Sequence, residues 1–252
     1  MSFETLLVEK QANLGIITLN RPERLNALNR TLTTEFDRSI TQLEQDGEVK
    51  VIIVTGAGER AFSAGADIHE LSQQSEQQLK ERGTHFADWT WHLASCKKPT
   101  IGAVNGLAYG GGALMASIFD MRIGCERTTF RFLGVMYGRI NSTWTLPLIV
   151  GWPMAKELLL TGRLVEAQEA LRLGLLNRLV PAAELMKSAI EMGQAIAEHD
   201  AGVVRVIKEI LNTDIGLKWR EMLVNEGKTA SQSLKQPPPS ESFKDFLERK
   251  PK

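Results

Sequence analysis

Along the first two thirds of the chain, short apolar runs alternate with segments whose apolar residues recur at helical spacing. Val49 to Val54 is too continuously apolar to have a wet face and predicts a buried parallel strand. Thr100 to Val104, Met121 to Cys125 and Leu175 to Val180 read as further strands, and Thr5 to Val8 and Leu14 to Leu19 flank a turn near Ala12-Asn13. Between them, Asn29 to Leu43 carries Leu32, Phe36, Ile40 and Leu43 on one helical face. Leu71 to Cys96 does the same with Leu79, Phe86, Trp89 and Leu93, leaving Trp91 off that face. Helices follow from Trp144 to Val150, with Asn141 or Ser142 as cap, from Pro153 to about Leu160, and from Val165 to Leu173 with Gly174 as stop. After Val180 only helical patterns remain: Ala183 to Glu198, Ala201 to Leu211, Leu217 to Ser233 and, past the break at Pro237-Pro238-Pro239, Glu241 to Glu248. The order predicts an α/β core over 1–180 and a C-terminal helical region over 181–252.

Composition narrows the function classes. Thirty basic residues cancel thirty acidic ones, so there is no global electrostatic case for nucleic acid, and a phosphorylated ligand would need local basic clusters. Cys96 and Cys125 have neither metal-ligand nor redox spacing, and His85 and His92 lack a third ligand, so no metal is expected. Met1-Ser2-Phe3-Glu4 has no signal-peptide pattern and no apolar run approaches membrane-spanning length. A soluble, cytoplasmic protein is expected.

Two runs of small residues carry the candidate chemistry, Ala61 to Ile68 and Val104 to Gly112. Each follows a predicted strand, where small residues let backbone N–H groups face a ligand. Two such groups converging on one oxygen would form an oxyanion hole, and a helix starting at the glycines would add its positive end. Either run alone is equally well a tight turn; Gly110-Gly111-Gly112 matches neither a dinucleotide fingerprint nor a P-loop.

Together, in this order, the runs resemble the enoyl-CoA hydratase/isomerase (crotonase) superfamily. So do Asn20-Arg21-Pro22-Glu23-Arg24-Leu25-Asn26-Ala27-Leu28-Asn29, Lys98 to Ile101, Leu159 to Arg163, the Ala167, Ala170, Gly174, Leu175 pattern and the ending Phe246 to Pro251. The resemblance implies a crotonase-like spiral of β-β-α turns with a C-terminal helical appendage for trimerisation, assembled as a homotrimer or homohexamer. It implies an acyl-CoA thioester as substrate in fatty acid metabolism, with no cofactor because coenzyme A is part of the substrate. The thioester enolate would be held by the backbone N–H groups of Ala66 and Gly111; losing one such donor typically costs about 2.7–4 kcal/mol. Arg24, Leu25, Ala27, Ala64, Asp67, Ile68, Gly110 and Lys250 fall where substrate contacts are expected. Arg21 and Arg24 otherwise read as solvated loop charge, and Asp67 as a helix-start carboxylate.

The proton chemistry departs from the family. Its hydratases use two glutamates; here Leu114 stands at the first position and Arg131 to Gly138 offers no carboxylate for the second. General acid–base catalysis is worth roughly 10²–10⁴-fold, so hydration by the two-glutamate route is not expected. Phe62 to Leu71 and Gly134-Val135-Met136-Tyr137 are similar to the methylmalonyl-CoA decarboxylase branch, with Ala66 in place of its histidine, which makes Tyr137 a catalytic candidate. A lyase or isomerase, such a decarboxylase, and a non-catalytic acyl-CoA-binding relative are the alternatives.

Overall fold

The computed structural model describes residues 3–234, which divide after Glu198 into two compact units. The first is built on two sheets. Strands β1 (Leu6–Gln11), β2 (Leu14–Leu19), β3 (Val51–Gly56), β5 (Thr100–Val104), β7 (Met121–Gly124) and β10 (Arg178–Leu179) form one sheet in the order β1-β2-β3-β5-β7-β10. Only the β1–β2 pair is antiparallel. The second sheet, β4-β6-β8-β9, is made of much shorter pieces: β4 (Ala61–Ser63), β6 (Leu107–Tyr109), β8 (Thr129–Arg131) and β9 (Val165–Glu166). From β3 to β8 each circuit of the chain lays one strand in the large sheet and the next in the small one before turning into a helix, whereas β1 and β2 both lie in the large sheet. That is the β-β-α spiral expected.

The large sheet is buried on both faces, and the two-residue period of its strands sorts their side chains. From β3, Ile52 and Val54 enter the main core, whereas Val51 and Ile53 join Leu14, Ile16, Ile101 and Ile123 beneath Leu185 and Ala189. These last two belong to helix α8 (Leu185–Ala197), which therefore covers the outer face of the sheet. The first unit runs through Glu198 and so includes α8, whose apolar face keeps the sheet dry. The second unit contains α9 (Ala201–Thr213) and α10 (Trp219–Ser233) among the described residues.

The main core is closed by α1 (Arg30–Gln45) and α3 (Glu76–Ala94). Asn29 caps α1 by accepting from the Leu32 N–H, and Leu32, Phe36, Ile40 and Leu43 form its buried face as the spacing predicts. The long segment after Leu71 is not one helix: α2 (Ile68–Ser72) ends, and Ser75 with Gln78 makes a capping box that starts α3 afresh. Trp89 of α3 meets Phe36 edge-to-face at 6.0 Å, and Trp91 is exposed, as expected. His92 pins the α1–α3 seam, its Nδ1 2.6 Å from Asp37 and its Nε2 3.1 Å from Glu44. Burial opposes a charge on His92, but the two carboxylates outweigh it and hold its pKa above the ordinary histidine value.

The remaining helices are α4 (Gly111–Ile118), α5 (Leu146–Val150), α6 (Trp152–Thr161) and α7 (Ala167–Arg172). Val165-Glu166, read as the start of a helix, instead pairs with β8, and neither Asn141 nor Ser142 caps α5 through its side chain. No described helix is long and apolar enough to cross a membrane.

Candidate functional site

Two buried amide side chains fix the loops at one end of the small sheet. Asn26 is fully buried; its Nδ2 donates to the carbonyls of Ala57 and Ala61, and its Oδ1 accepts from the Arg21 N–H. Asn105 donates to the carbonyls of Gly56 and Gly58 and accepts from the Gly56 N–H. Leu25 and Asn26 both have φ of +53°, an uncommon left-handed pair, and the hydrogen bonds made by Asn26 oppose its relaxation. The loop is then stitched onto the strand that follows: Ala64 N–H donates to Leu25, Leu28 N–H to Gly65, and Asp67 N–H to Leu28, so that Leu28 and Ala66 form a parallel bridge.

This stitching leaves the Ala66 N–H out of the ladder. Gly65, at φ +87°, makes the approach: a Cβ there would lie 2.5 Å from the Tyr109 carbonyl and 2.8 Å from the Gly111 nitrogen. A Cβ placed on Gly111 would in turn lie 3.5 Å from the Ala66 nitrogen. Gly111 is the first residue of α4, so its N–H has no intrahelical partner. Gly112, the next residue, packs directly on the Ser63 carbonyl. Among the described residues neither the Ala66 nor the Gly111 N–H has a protein acceptor, and Ala66 is exposed while Gly111 is half-buried. Two adjacent donors open to solvent at a helix start can bind one negatively charged oxygen.

Charged side chains flank the turn in pairs. Arg21 is half-buried rather than solvated: its Nη1 lies 3.0 Å from the Asp67 carboxylate and 2.6 Å from the Ala27 carbonyl. Asp67 also caps α2 by accepting from the Glu70 N–H. Burial would raise the Asp67 pKa, but Arg21 and the backbone donors more than offset it and hold the carboxyl below its ordinary value. Arg82 repeats the arrangement, donating to Glu70 at 2.8 Å and to the Leu28 carbonyl at 3.3 Å. Glu70 further accepts from the Arg30 N–H.

The other expected residues divide clearly. Arg24 is exposed beside the loop, Ala27 is buried, Ala64 is half-buried and Ile68 is 71% exposed. Gly110 is tied to the second sheet by its N–H donating to Arg131. Arg131 reaches from there to the Gly162 carbonyl, and Met136 lies against Gly162. Tyr137 ends the short 3-10 turn Gly134–Tyr137 and is 70% exposed, flanked by exposed Met136 and Ile140. Leu114 is buried in α4. Lys250 lies outside the described residues. The roles of Asn26, Asn105 and the two arginine–carboxylate pairs are not legible in the sequence, although Asn26 and Asn105 lie inside two of the stretches that carry the resemblance. Among the described residues no group of three or more His, Cys, Asp or Glu is arranged to hold a metal ion.

The sequence profile described as enoyl-CoA hydratase/isomerase matches residues 9–252. The chain is 33% identical to a short-chain-enoyl-CoA hydratase of Clostridium acetobutylicum, covering 99% of this chain and 97% of the relative. It is 34% identical to a crotonyl-CoA hydratase of Syntrophomonas wolfei over 84% of this chain and 83% of the relative. The crystal structure of an enoyl-CoA hydratase from Bacillus anthracis superposes with a TM-score of 0.92 at 30% identity, covering 97% of this chain and 96% of the other.

Proposed function

Since the chain belongs to the enoyl-CoA hydratase/isomerase family, we propose that it acts on an acyl-CoA thioester through an enolate whose oxygen is held by the N–H groups of Ala66 and Gly111. The observation behind this reading is the meeting of two donors without protein acceptors, one beside a parallel bridge and one at the first position of an eight-residue helix. Such donors are fixed by the backbone before substrate arrives, so they need no reorganisation as charge develops on the thioester oxygen. In this reading the loop from Arg21 to Leu28 borders the coenzyme. Arg24 contacts its phosphates, and Leu25, Ala27, Ala64, Ile68 and Gly110 line the path of the thioester, while the Asp67 carboxylate is taken up by Arg21 and the α2 cap. The exposed apolar residues Ile207, Leu211, Trp219 and Leu223 of the C-terminal unit serve assembly as a homotrimer or homohexamer.

With Leu114 at one expected acid–base position and no carboxylate from Arg131 to Gly138, we infer slow hydration by the two-glutamate route. Decarboxylation of a malonyl-type thioester yields the same enolate without a carboxylate base, and the exposed, unpaired hydroxyl of Tyr137 favours this second reading.

Turnover of crotonyl-CoA and of methylmalonyl-CoA, with calorimetric acyl-CoA binding on the same preparation, tests both. Rapid hydration would mean that a group other than the two glutamates moves the protons despite Leu114. Carbon dioxide release without hydration would favour the decarboxylase. Binding with neither reaction would leave another thioester or a silent relative, and absence of binding would overturn the proposal.

A further inference from the structure

The residue after Ala66 is an aspartate, and the next carboxylate along the chain is Glu70. A carboxylate next to a site that is to hold an enolate is a liability, because like charges repel most strongly where water is partly excluded. Asp67 is nevertheless needed locally, since its side chain caps α2. Its partner is Arg21, with side-chain exposures of 15% and 9% for the arginine and the aspartate. The same guanidinium nitrogen donates to the Ala27 carbonyl, one residue before the Leu28 bridge to Ala66. Arg82 duplicates the device on the other side, pairing Glu70 and gripping the carbonyl of Leu28 itself.

We infer that Arg21 is a positioning residue for the proposed oxyanion site: it cancels the charge that the helix cap places beside Ala66 and holds the Ala27-Leu28 segment against which Ala66 is aligned. The inference rests on the enolate reading given above. A neutral cap would serve α2 as well, because asparagine caps helices about as effectively as aspartate. The cost of losing Arg21 is therefore mainly the uncovered charge, and removing that charge as well restores the site.

A purely structural ion pair and a charge-compensating one give opposite signs. Breaking a buried pair from either side weakens a merely structural arrangement. Charge compensation instead makes loss of the arginine harmful and loss of the aspartate harmless or favourable. The probe is 4-dimethylaminocinnamoyl-CoA, a thioester that is not required to react and whose absorption moves to longer wavelength when its carbonyl oxygen is polarised. In Arg21→Met the red shift on binding is expected to fall to a minor fraction and affinity to drop about tenfold, the scale of one uncompensated charge at short range in partly excluded water. Asp67→Asn is expected to give a shift at least as large as the parent protein. The double variant is expected to recover most of what Arg21→Met lost, and Arg21→Lys, which keeps the charge but not the fork, to retain the shift. Thermal unfolding of each variant separates loss of the fold from loss of polarisation, and Asp67→Asn remains decisive if Arg21→Met does not fold. A double variant no better than Arg21→Met, or a folded Asp67→Asn with a diminished shift, would overturn the inference while leaving the enolate reading intact. A bound probe that shows no red shift in the parent protein would overturn the enolate reading itself.

Discussion

The turn at Gly65-Ala66 and the turn at Gly134–Tyr137 face opposite demands. The first is made of small residues, Gly65 buried and Ala66 exposed, locked by Asn26, by the Leu28 bridge and by two arginine–carboxylate pairs. The second presents Val135, Met136 and Tyr137 to solvent, with Arg131 and Met136 joining it to Gly162. What the first turn offers a ligand is backbone; what the second offers is side chains. Stabilising a charge needs donors that do not move, whereas choosing which proton or carboxylate moves needs side-chain chemistry. On the proposed reading the two tasks are built on separate segments.

The comparison is broken most sharply at Gly65. A Cβ there would press on the Tyr109 carbonyl and the Gly111 nitrogen at a φ of +87°. Gly65→Val is expected to lower turnover on the true substrate by about 10²–10³-fold, the scale of losing one oxyanion donor. Steady-state kinetics on the folded variant, checked by circular dichroism, would decide; an unchanged rate would remove Ala66 and Gly111 from the chemistry. Asn26→Ala comes next. It leaves the Ala57 and Ala61 carbonyls and the Arg21 N–H without their partner, and roughly 2–3 kcal/mol should be lost in urea unfolding. At Tyr137, by contrast, removing an exposed hydroxyl should leave stability within about 0.5 kcal/mol. Turnover should nevertheless fall roughly tenfold if the hydroxyl is a positioned acid. Full activity in Tyr137→Phe would strike that side chain from the mechanism.

The smallest effect is expected at the α1–α3 seam. Because the His92 pKa is raised in the fold, its contribution is fully present below the ordinary histidine value and is lost as pH rises through the folded one. His92→Gln should therefore cost most near pH 6 and little near pH 9, by less than about 1 kcal/mol for a half-buried cluster still open to solvent. Chemical denaturation across that range measures it, and a cost that grew with pH would contradict the assignment.

What the amino-acid pattern revealed follows the same division. Val51–Gly56 and Thr100–Val104 are continuous apolar runs because both faces of their sheet are covered, and such strands identify themselves. The strands of the small sheet, at two or three residues each, are too short for any period to register. Val165-Glu166 accordingly reads as the start of a helix, although it pairs with β8. Small residues at Gly65 and Gly111 pointed to the turns, since close backbone approach has a composition. Arg21 did not declare itself, because its partner lies 46 residues away and nothing local distinguishes a paired arginine from a solvated one. Asn26 was opaque for the same reason, reaching carbonyls 31 and 35 residues on.

An N–H donor belongs to no particular side chain, so a substitution at position 66 or 111 that respects the shape of the turn leaves the donor in place. On the proposed reading, drift can rewrite residues such as Leu114 or Tyr137 while the enolate-holding geometry passes unchanged to the next sequence. A lineage built this way can exchange one reaction for another without first losing its hold on the common intermediate.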